Sequence, residues 1–371
     1  MHIIHTEASQ GWGGQEIRIL TESLGMLDRG HQVTILTPPK ARIYEAARRE
    51  GIPVVAMPLE KKRPRGIRAL QEWLGSHRPD IVNTHSSIDS WLMALTQPLK
   101  HRFPVVRTRH ISAPLPRSLA TRWLYLKAAD RVVTTGESLR RKIVESLNAN
   151  PAHFVSVPTG IDLDRYSRRH SASKSKMRVE LGVSEDALLI CIAATIRSWK
   201  GHSYLLEAFD LLAADYPDLR LLVVGDGPMR PAIEQQAAEL KFADRVHFTG
   251  HSERVEDMLA AADIFALPSW ANEGVPQAIM QAMAMELPVV STPIGAIDEL
   301  LVDNKTGLMV RPKDAHSLSD GLRKLIVDPD LRKRFGQAAR ERVVRYFSSH
   351  IMIDSMEQVF LQLKDEYSER G

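Results

Sequence analysis

The sequence predicts an α/β protein made of two doubly wound parallel-sheet domains. Short apolar segments alternate with helical patterns from the start of the chain, as in the strand-like run 2–6 and the helical pattern at 14–29. A stretch rich in Ser and basic residues at 167–178 interrupts this series, and a second series follows. Such alternation favours parallel sheets with helices on both faces, and the interruption indicates a boundary between two domains.

In the first series, each predicted strand is a short run rich in β-branched residues. In chain order these runs are HIIHT, HQVTILT, IPVVAMP, DIVNTH, PVVRTRH and RVVTTG. The segments between them are long enough for crossover helices, for example at 14–29 and 41–50. Residues 1–166 are therefore predicted to form an N-terminal Rossmann-like domain.

The second series begins after the predicted linker at 167–178. Its strand-like runs are DALLICIAAT, DLRLLVVGDG, DRVHFTG, ADIFALPS and LPVVST. Strand signals stop after Asp314, and the chain continues as helical patterns to FSSHIMIDSMEQVFLQL, in which apolar residues recur at helical spacing. The sequence therefore predicts a second Rossmann-like domain at 179–347 and a C-terminal helix at 348–371.

Composition places the chain among globular proteins. It has 371 residues, of which 44% are hydrophobic and 25% charged, enough for two separate cores. The longest strongly apolar run, Ala187–Ile196, is about half the length of a membrane span, and no basic-then-apolar leader opens the sequence. A cytoplasmic protein is expected. The single cysteine, Cys191, lies in a strand-like run and is predicted to be a buried, unreactive thiol.

The net charge of +4 is unevenly distributed. Residues 1–165 carry 24 Lys and Arg against 15 Asp and Glu, a net of +9, and the remainder is net −5. A basic N-terminal half suggests an anionic partner, such as a phosphorylated acceptor or the surface of an anionic membrane. A solvated helix face explains either dense basic stretch, 61–68 or 140–142, equally well. Nucleic acid is not expected, because aromatic residues do not alternate with the basic ones.

A glycine-rich segment follows the first predicted strand. Gly11, Gly13 and Gly14 precede a helix, where backbone N–H groups and the helix N-terminus favour a phosphate group. The dinucleotide fingerprint G-x-G-x-x-G is incomplete, because Glu16 occupies its last position, so an NAD site is disfavoured. A tight turn without a ligand remains the alternative.

Two cations follow the first strand of the second series. Arg197 and Lys200 stand three residues apart before a predicted helix. At the carboxyl end of a parallel strand, such a pair can hold a diphosphate whose negative charge increases as it leaves. Each is otherwise explained as an ordinary surface cation.

The segment 268–300 carries an acidic and an amide side chain eight residues apart. Glu273 and Gln281 are predicted to lie about 80° apart on a helix that Gly274 and Pro276 open. A carboxylate there can bind sugar hydroxyls, and backbone N–H groups around Gly274 and Val275 can bind phosphate or sugar oxygens. A helix-capping role for the acid is the alternative.

Together these motifs resemble the family 4 retaining glycosyltransferases of GT-B architecture, along nearly the whole chain. The ordered features are the glycines at 13 and 14, SVPTGID, Arg197 with Lys200-Gly201, VVGDGP, FTGH and the acidic segment from Glu273. The resemblance implies that the N-terminal domain binds the acceptor and the C-terminal domain the nucleotide sugar. Catalysis is then expected in the cleft between the domains, with helix 348–371 packing back on the N-terminal domain.

Carried over by position, the resemblance also implies site residues. The catalytic residues expected from it are His110, Arg197, Lys200 and Glu273. Those expected to bind the donor are Gly13, Gly14, Arg197, Lys200, Gly225, Glu273, Gly274, Val275 and Gln281. His110 corresponds to a histidine near the donor sugar, although capping of the next helix explains it too.

Two departures from the family pattern bear on these assignments. The family's second glutamate, which grips the ribose hydroxyls, is Gln281 here. An amide binds a hydroxyl less strongly than a carboxylate does, by about 1 kcal/mol, so an altered ribose contact is expected. The spacing of Arg197 and Lys200 is also shorter than in many members, which leaves open which phosphate each one contacts.

The resemblance implies transfer of a hexose from a nucleotide diphosphate sugar to a glycan or lipid-linked acceptor, in lipopolysaccharide or surface polysaccharide synthesis. No metal or other cofactor is expected, because the two D-x-D sequences, 162–164 and 328–330, fit turn or capping positions. Two alternatives stay open: a catalytically weak nucleotide-sugar-binding protein, and a nucleotide-sugar epimerase of the same architecture.

Overall fold

The computed structural model describes residues 1–97, 103–167, 172–271 and 273–369. The chain forms two compact units. Unit 1 comprises Met1–Gly160 and Ser349–Gly371, and unit 2 comprises Ile161–Ser348. Each unit contains a parallel sheet with helices, which confirms the predicted α/β class.

Unit 1 is built on seven parallel strands in the order β3-β2-β1-β4-β5-β6-β7. The strands are β1 His2–Thr6, β2 Gln32–Thr37, β3 Val54–Ala56, β4 Ile81–Thr84, β5 Val105–Arg109, β6 Arg131–Thr134 and β7 Phe154–Ser156. Its helices are α1 Gly14–Asp28, α2 Arg42–Arg49, α3 Pro64–His77, α4 Ser87–Thr96, α5 Leu119–Leu126, α6 Glu137–Leu147 and, from the end of the chain, α15 Ser349–Ser368. The strand order reverses between β1 and β4, and such reversals favour ligand sites.

The central strand β1 shows why this sheet is covered on both faces. Successive side chains on a strand point to opposite faces. Ile3 packs in a cluster with Met356 and Phe360 of α15, whereas Ile4 packs with Leu92 on the other face. Both isoleucines are fully buried. A central parallel strand therefore needs apolar side chains on both of its faces.

The last helix, α15, is an integral part of unit 1. It packs on α1 at Gly25, where a Cβ atom would lie 2.2 Å from Cδ1 of Ile353. Arg29 forms ion pairs with Asp354 and Glu357 at the edge of this contact. The absence of a side chain at Gly25 thus sets how closely the two helices approach.

Unit 2 is built on six parallel strands in the order β10-β9-β8-β11-β12-β13. The strands are β8 Leu188–Ala193, β9 Leu219–Val224, β10 Val246–Gly250, β11 Ile264–Leu267, β12 Val289–Ser291 and β13 Gly307–Met309. The helices are α7 Ala172–Glu180, α8 His202–Ala213, α9 Arg230–Ala238, α10 Val255–Ala261, α11 Gln277–Ala284, α12 Ile297–Leu300, α13 Ala315–Val327 and α14 Pro329–Tyr346. Here the order reverses between β8 and β11. Cys191 is buried in β8, and burial raises its pKa above its ordinary value, in keeping with an inert thiol.

The predicted linker is wrong over most of its length. Within 167–178, the residues from Ala172 onward belong to α7, which packs on α10. Met177 and Arg178 are buried although their neighbours are polar, and Arg178 donates to the carbonyl of Ala261 and to Asp263. A helix with so few apolar residues is stabilised by one buried guanidinium, which composition alone does not reveal.

The boundaries between the units also differ from the predicted ones. Unit 2 starts at Ile161, whose N–H donates to the carbonyl of Phe347 at 2.8 Å. Tyr166 is buried in the core of unit 2, and its carbonyl accepts from Arg340. The chain therefore enters unit 2 before position 166, the predicted end of the first domain.

Within the part of the chain that the structure describes, no helix combines the length and apolar character needed to cross a bilayer.

Loss of the Arg178 guanidinium is expected to destabilise unit 2. Its donors reach three backbone carbonyls at 184, 185 and 187 besides Ala261 and Asp263. Because Arg178→Met removes the buried donor that serves all these acceptors, it should lower the free energy of unfolding by about 3 kcal/mol. The measurement is urea unfolding followed by circular dichroism. The control is Arg254→Met, which removes an exposed guanidinium and should leave the midpoint unchanged. Equal midpoints for the two variants would contradict the assignment.

Candidate functional site

The carboxyl ends of four neighbouring strands in unit 2 bring together the loops that sequence analysis singled out. These strands are β9, β8, β11 and β12, which stand side by side across the reversal of strand order. Their following loops contain Gly225, Lys200, Glu273 and Gly295 respectively. The edge at which ligands bind in open parallel sheets is therefore the edge where these residues lie.

The loop after β8 is held against the loop after β11 by a glycine. Gly201 has φ +80, and a Cβ atom there would lie 2.1 Å from the carbonyl oxygen of Pro268. The positive φ and the close carbonyl oxygen each exclude a side chain at this position. The close approach places Lys200, the preceding residue, over the start of the β11 loop.

Lys200 and Glu273 form a partly buried ion pair. The Lys200 Nζ lies 2.7 Å from Oε1 of Glu273, and the same oxygen accepts from Ser269 Oγ at 2.6 Å. Glu273 is 5% exposed and Lys200 20% exposed. A charge-assisted bond shielded from water holds the ammonium group in one position, as a cation that contacts an anionic ligand must be held.

Glu273 lies outside the helix on which it was predicted. Helix α11 begins at Gln277, and its N-cap is Pro276, which makes no side-chain capping bond. The proposed 80° angle between Glu273 and Gln281 therefore has no meaning here, because only Gln281 is helical. The capping alternative is also wrong, since the Glu273 carboxylate binds Lys200 and Ser269.

The backbone around Glu273 is fixed by the loop after β12. Gly295 has φ +70, and a Cβ atom there would lie 2.0 Å from the carbonyl oxygen of Glu273. The N–H of Ala296 donates to the carbonyl of Gly274 at 3.3 Å, and Val275 is buried. The peptide groups of 273–275 are thus packed against a second loop.

Gly225 lies in the loop after β9, on the side of β8 away from β11. It has φ +137, and a Cβ atom there would lie 2.1 Å from the carbonyl oxygen of Ala194. Its N–H donates to the carbonyl of Gly250 at 2.8 Å. Gly225 therefore has a structural reason to be glycine, whatever ligand it contacts.

Arg197 differs from Lys200 in its surroundings. It is exposed, and its guanidinium lies 5.2 Å from the ring centre of Trp199 in a cation–π arrangement. The structure thus brings Lys200 and Glu273 into one fixed pair and leaves Arg197 in solvent on the same loop.

Gln281 contacts the buried Tyr166. Burial raises the pKa of Tyr166 to about 12, while the charge of Arg165 and a side-chain hydrogen bond from Gln281 act in the opposite direction. An amide can donate to the phenol oxygen, which a carboxylate cannot do. The departure from the usual glutamate therefore has a partner inside unit 2.

The two D-x-D sequences occupy a turn and a helix cap, as predicted. Oδ1 of Asp162 accepts from the N–H groups of Asp164 and Arg165. Asp328 is the N-cap of α14 and accepts from the N–H of Leu331 at 2.8 Å. Among the described residues, no group of three or more His, Cys, Asp or Glu side chains is arranged to hold a metal ion.

In unit 1, the glycine-rich loop is attached to a buried glutamate. The Glu7 carboxylate accepts from the N–H of Ser9 at 2.6 Å and from the side chain of Gln15. Gly13, the N-cap of α1, has φ −175, and a Cβ atom there would only touch Glu16 at 3.8 Å. Neither a positive φ nor a close neighbour therefore requires glycine at Gly13. Gly14 is the first residue of α1.

His110 belongs to a row of three histidines. Its Nε2 lies 3.0 Å from Nδ1 of His85, and Nε2 of His85 lies 2.9 Å from Nδ1 of His5. Burial holds the pKa values of His85 and His110 well below 6.5 and lowers the pKa of His5 to about 3. All three rings are therefore neutral at ordinary pH. The capping alternative for His110 has no support, because the N-cap of the next helix, α5, is Ser118.

Sequence reasoning missed Glu7, His5 and His85. Burial raises the pKa of Glu7 to about 8, and the charge of Asp89 adds to this. Glu7 and His85 directly follow β1 and β4, the two strands at the reversal of order. The rule that ligands bind at carboxyl ends could have selected both. His5 lies inside β1, where no comparable signal exists.

Two family profiles match most of the chain. The profile described as Glycosyltransferase Family 4 matches residues 12–165, and the one described as Glycosyl transferases group 1 matches residues 173–342. The chain belongs to the family 4 glycosyltransferases. The matches meet close to the boundary between the units, so each unit of this family 4 glycosyltransferase corresponds to one profile.

Relatives of this family 4 glycosyltransferase agree with the assignment. The putative glycosyltransferase EpsD of Bacillus subtilis is 22% identical over 91% of this chain and 90% of its own. A Mycolicibacterium smegmatis protein named GDP-mannose-dependent alpha-(1-6)-phosphatidylinositol monomannoside mannosyltransferase is 26% identical over 85% of this chain and 87% of its own. Among solved structures, Anabaena Alr3699/HepE in complex with UDP-glucose has a TM-score of 0.87 at 19% identity, covering 98% of this chain and 100% of its own. This structure and the other structural neighbours support a GT-B fold for the chain.

The raised pKa of Glu7 gives a pH dependence of stability with a definite sign. The folded state keeps this proton up to about pH 8, whereas an unfolded glutamate loses it near 4.5. The folded state therefore binds more protons, and stability falls as the pH rises through this window. Glu22, whose pKa burial raises to about 7, acts in the same direction.

We expect the free energy of unfolding to fall by about 2 to 3 kcal/mol from pH 6.5 to 8.5, and Glu7→Gln to flatten this slope. Urea unfolding at a series of pH values measures it, with the exposed Glu72→Gln as control. A slope equally steep in Glu7→Gln and wild type would show that Glu7 is not protonated in the fold.

Proposed function

We propose that this protein is a retaining hexosyltransferase that takes its sugar from a nucleotide diphosphate sugar. The observation that carries the proposal is the Lys200–Glu273 pair at the carboxyl edge of the unit 2 sheet, next to the exposed Arg197. Departure of a nucleoside diphosphate creates negative charge, and a fixed ammonium group stabilises that charge without reorganisation. Lys200 and Arg197 are proposed to supply this stabilisation, so that the enzyme needs no metal.

Glu273 is proposed to have two roles. Its carboxylate fixes Lys200, and the peptide groups of Glu273, Gly274 and Val275 contact the transferred sugar or its neighbouring phosphate, as the family resemblance implies. Gly225 and Gln281 are proposed to contact the nucleotide from the same unit. In unit 1, Gly13, Gly14 and His110 are proposed to contact the donor, and the rest of that unit to bind the acceptor.

Retention of configuration is proposed to follow a front-face path. The bond between the anomeric carbon and the leaving phosphate oxygen breaks, and the acceptor oxygen bonds to the same face of that carbon. The acceptor proton passes to the leaving phosphate oxygen. No covalent sugar–enzyme bond is needed on this path, which suits a site whose central carboxylate, Glu273, is already bound to Lys200 and Ser269.

The partners are proposed from the comparisons and from charge. The HepE complex contains UDP-glucose, and the Mycolicibacterium relative is named GDP-mannose-dependent, so UDP and GDP sugars are the first donors to test. The acceptor is proposed to be a glycan or lipid-linked molecule of lipopolysaccharide or another surface polysaccharide. The exposed basic residues Lys61, Lys62, Arg63 and Arg65 around the start of α3 fit a peripheral contact with an anionic membrane on its cytoplasmic face.

Gln281 favours one rival function, a nucleotide-sugar-binding protein with little catalysis. Incubation with UDP, GDP, ADP and CMP sugars, with and without acceptor extracts, separates the possibilities. Transfer, or slow release of free sugar, supports the proposed function. Binding without either supports the rival, and an epimerised nucleotide sugar formed without acceptor indicates an epimerase.

Removal of the Lys200 ammonium group should strongly reduce turnover. Lys200→Ala is expected to lower kcat at least about 100-fold, because one contact to the developing charge is lost. The exposed Lys241→Ala serves as control. Initial rates under saturating donor measure the effect, and thermal melting checks that Glu273, now unpaired, has not unfolded the loop. Wild-type kinetics in a folded Lys200→Ala variant would overturn the proposed role.

Restoration of the usual glutamate tests the ribose contact. Gln281→Glu is expected to tighten binding of the nucleoside diphosphate about fivefold, since a carboxylate accepts hydroxyl donors more strongly, by about 1 kcal/mol. Calorimetric titration with UDP and GDP measures it, with Gln277→Glu on the same helix as control. Unchanged affinity would show that Gln281 serves Tyr166 and not the nucleotide.

A further inference from the structure

A buried glutamate stands at the far end of the histidine row. His5, His85 and His110 are linked ring to ring by the two hydrogen bonds described above, with ring centres 5.1 and 5.2 Å apart. Beyond His5, its Nε2 faces Oε1 of Glu22 at 3.9 Å. Glu22 and His5 are both fully buried. Together, Glu22 and the histidine row extend from the middle of α1 to the residue after β5.

A row of neutral imidazoles has only two proton arrangements. Each neutral ring carries one N–H and one bare nitrogen, and each ring-to-ring bond needs one of each. In one arrangement Nε2–H of His110 donates to His85, and Nε2–H of His85 donates to His5. In the other, both bonds run the opposite way and the proton of His110 sits on Nδ1. The choice made at His5 thus fixes the tautomer of His110.

Glu22 biases this choice through its charge. Within the described residues, Nε2 of His5 has no hydrogen-bond partner, and the Glu22 carboxylate is the charged group nearest to it, at 3.9 Å. The charge of Arg18 also acts on His5, and Arg18 is paired with the other oxygen of Glu22. An N–H dipole pointing at a carboxylate is attracted, whereas a lone pair is repelled, and burial strengthens both effects. Asn83 donates to Oε1 of Glu22 at 3.3 Å, and Arg18 Nε lies 3.7 Å from Oε2. These contacts hold the carboxylate in place.

We propose that Glu22, acting through His5 and His85, holds His110 as the tautomer protonated on Nε2, so that Nδ1 of His110 accepts a hydrogen bond from a substrate hydroxyl. Glu22, His5 and His85 are then positioning residues. In the part of the chain that the structure describes, Nδ1 of His110 has no protein partner, so it is the ring atom left for a ligand. The substrate part of this inference rests on the proposed function, and the tautomer does not.

The electrostatics of the row set the pH of the test. Burial lowers the pKa of all three histidines, so none is charged near neutrality. Burial raises the pKa of Glu22 to about 7, which the charge of Arg18 partly offsets. Glu22 is therefore ionised at pH 8.5, where the arrangement that donates toward it should dominate.

Nitrogen NMR of the protein labelled with ¹⁵N-histidine reads each tautomer directly, because protonated and bare ring nitrogens resonate far apart. At pH 8.5 the wild-type spectrum should show His110, assigned from His110→Gln, protonated on Nε2. His153, whose Nε2 donates to the carbonyl of Tyr125 at 2.8 Å, is an internal reference with the same tautomer. His110 protonated on Nδ1, or an equal mixture, overturns the proposal, whether or not any variant folds.

Glu22→Gln should remove the preference of the row for one arrangement. The neutral amide no longer presents a negative charge to Nε2 of His5, so the arrangement protonated on Nε2 of His110 loses its advantage. Part of the His110 signal should then move to the form protonated on Nδ1. Glu16→Gln, which removes another buried carboxylate from the same helix without touching His5, is the matched control and should leave the tautomers unchanged. An unchanged His110 spectrum in folded Glu22→Gln overturns the proposal.

Transfer assays separate this inference from the proposed function. With a donor and acceptor in hand, Glu22→Gln should lower kcat/KM at least about twofold, because in part of the molecules Nδ1 of His110 no longer accepts from the substrate hydroxyl. A shifted tautomer with unchanged kcat/KM overturns the substrate contact. A wild-type protein that shows the expected tautomer but transfers no sugar leaves the row established and removes the proposed function.

Discussion

The ion pair between Lys200 and Glu273 is the interaction on which the unit 2 edge depends. The Glu273 carboxylate is 5% exposed, and without a cation its burial would destabilise the fold. Without the carboxylate, the Lys200 side chain would adopt many conformations. The pair resolves both problems. Two glycines make it geometrically feasible, because Gly201 and Gly295 let the neighbouring loops approach the β11 loop more closely than any side chain allows.

The two units use opposite electrostatic means at their carboxyl edges. Unit 2 keeps its groups charged and paired. Unit 1 instead buries groups that become neutral: the pKa of Glu7 rises to about 8 and that of His5 falls to about 3, in both cases mainly because of burial. A neutral, hydrogen-bonding surface suits contact with uncharged hydroxyl groups, whereas a fixed cation suits phosphate.

The fold was largely predictable because the strands of a buried parallel sheet are short runs rich in apolar and β-branched residues. The alternation gave the α/β class and all strands of the described residues except β7 and β13, which are only three residues long. The final helix was found from its periodicity. The linker was wrong because α7 is stabilised by one residue, Arg178, whose bonding partners lie far away in sequence. Composition cannot report a buried guanidinium, since the same residue is usually exposed.

The candidate site was predictable in its location and less so in its geometry. Glycines and cations after strands marked the correct edge, because that rule concerns sheet topology. Glu273 was misplaced because helix α11 starts at Gln277, four residues later than helical spacing alone suggests. Of the three histidines in the row, only His110 was predicted from the sequence. His5 and His85 come together because β1 pairs with β4, which is far from it in sequence, and sequence reasoning does not give that pairing.

Unit 1 is discontinuous in sequence, and this affects the order in which the chain can fold during synthesis. The face of β1 that carries Ile3 is covered by α15, whose residues are made after the whole of unit 2. Until α15 leaves the ribosome, the apolar surface of unit 1 that α15 covers stays exposed to solvent and able to bind other apolar surfaces. Unit 2 already has all its residues at that stage. A nascent chain of this protein should therefore interact with chaperones through its first-made half and not through its second.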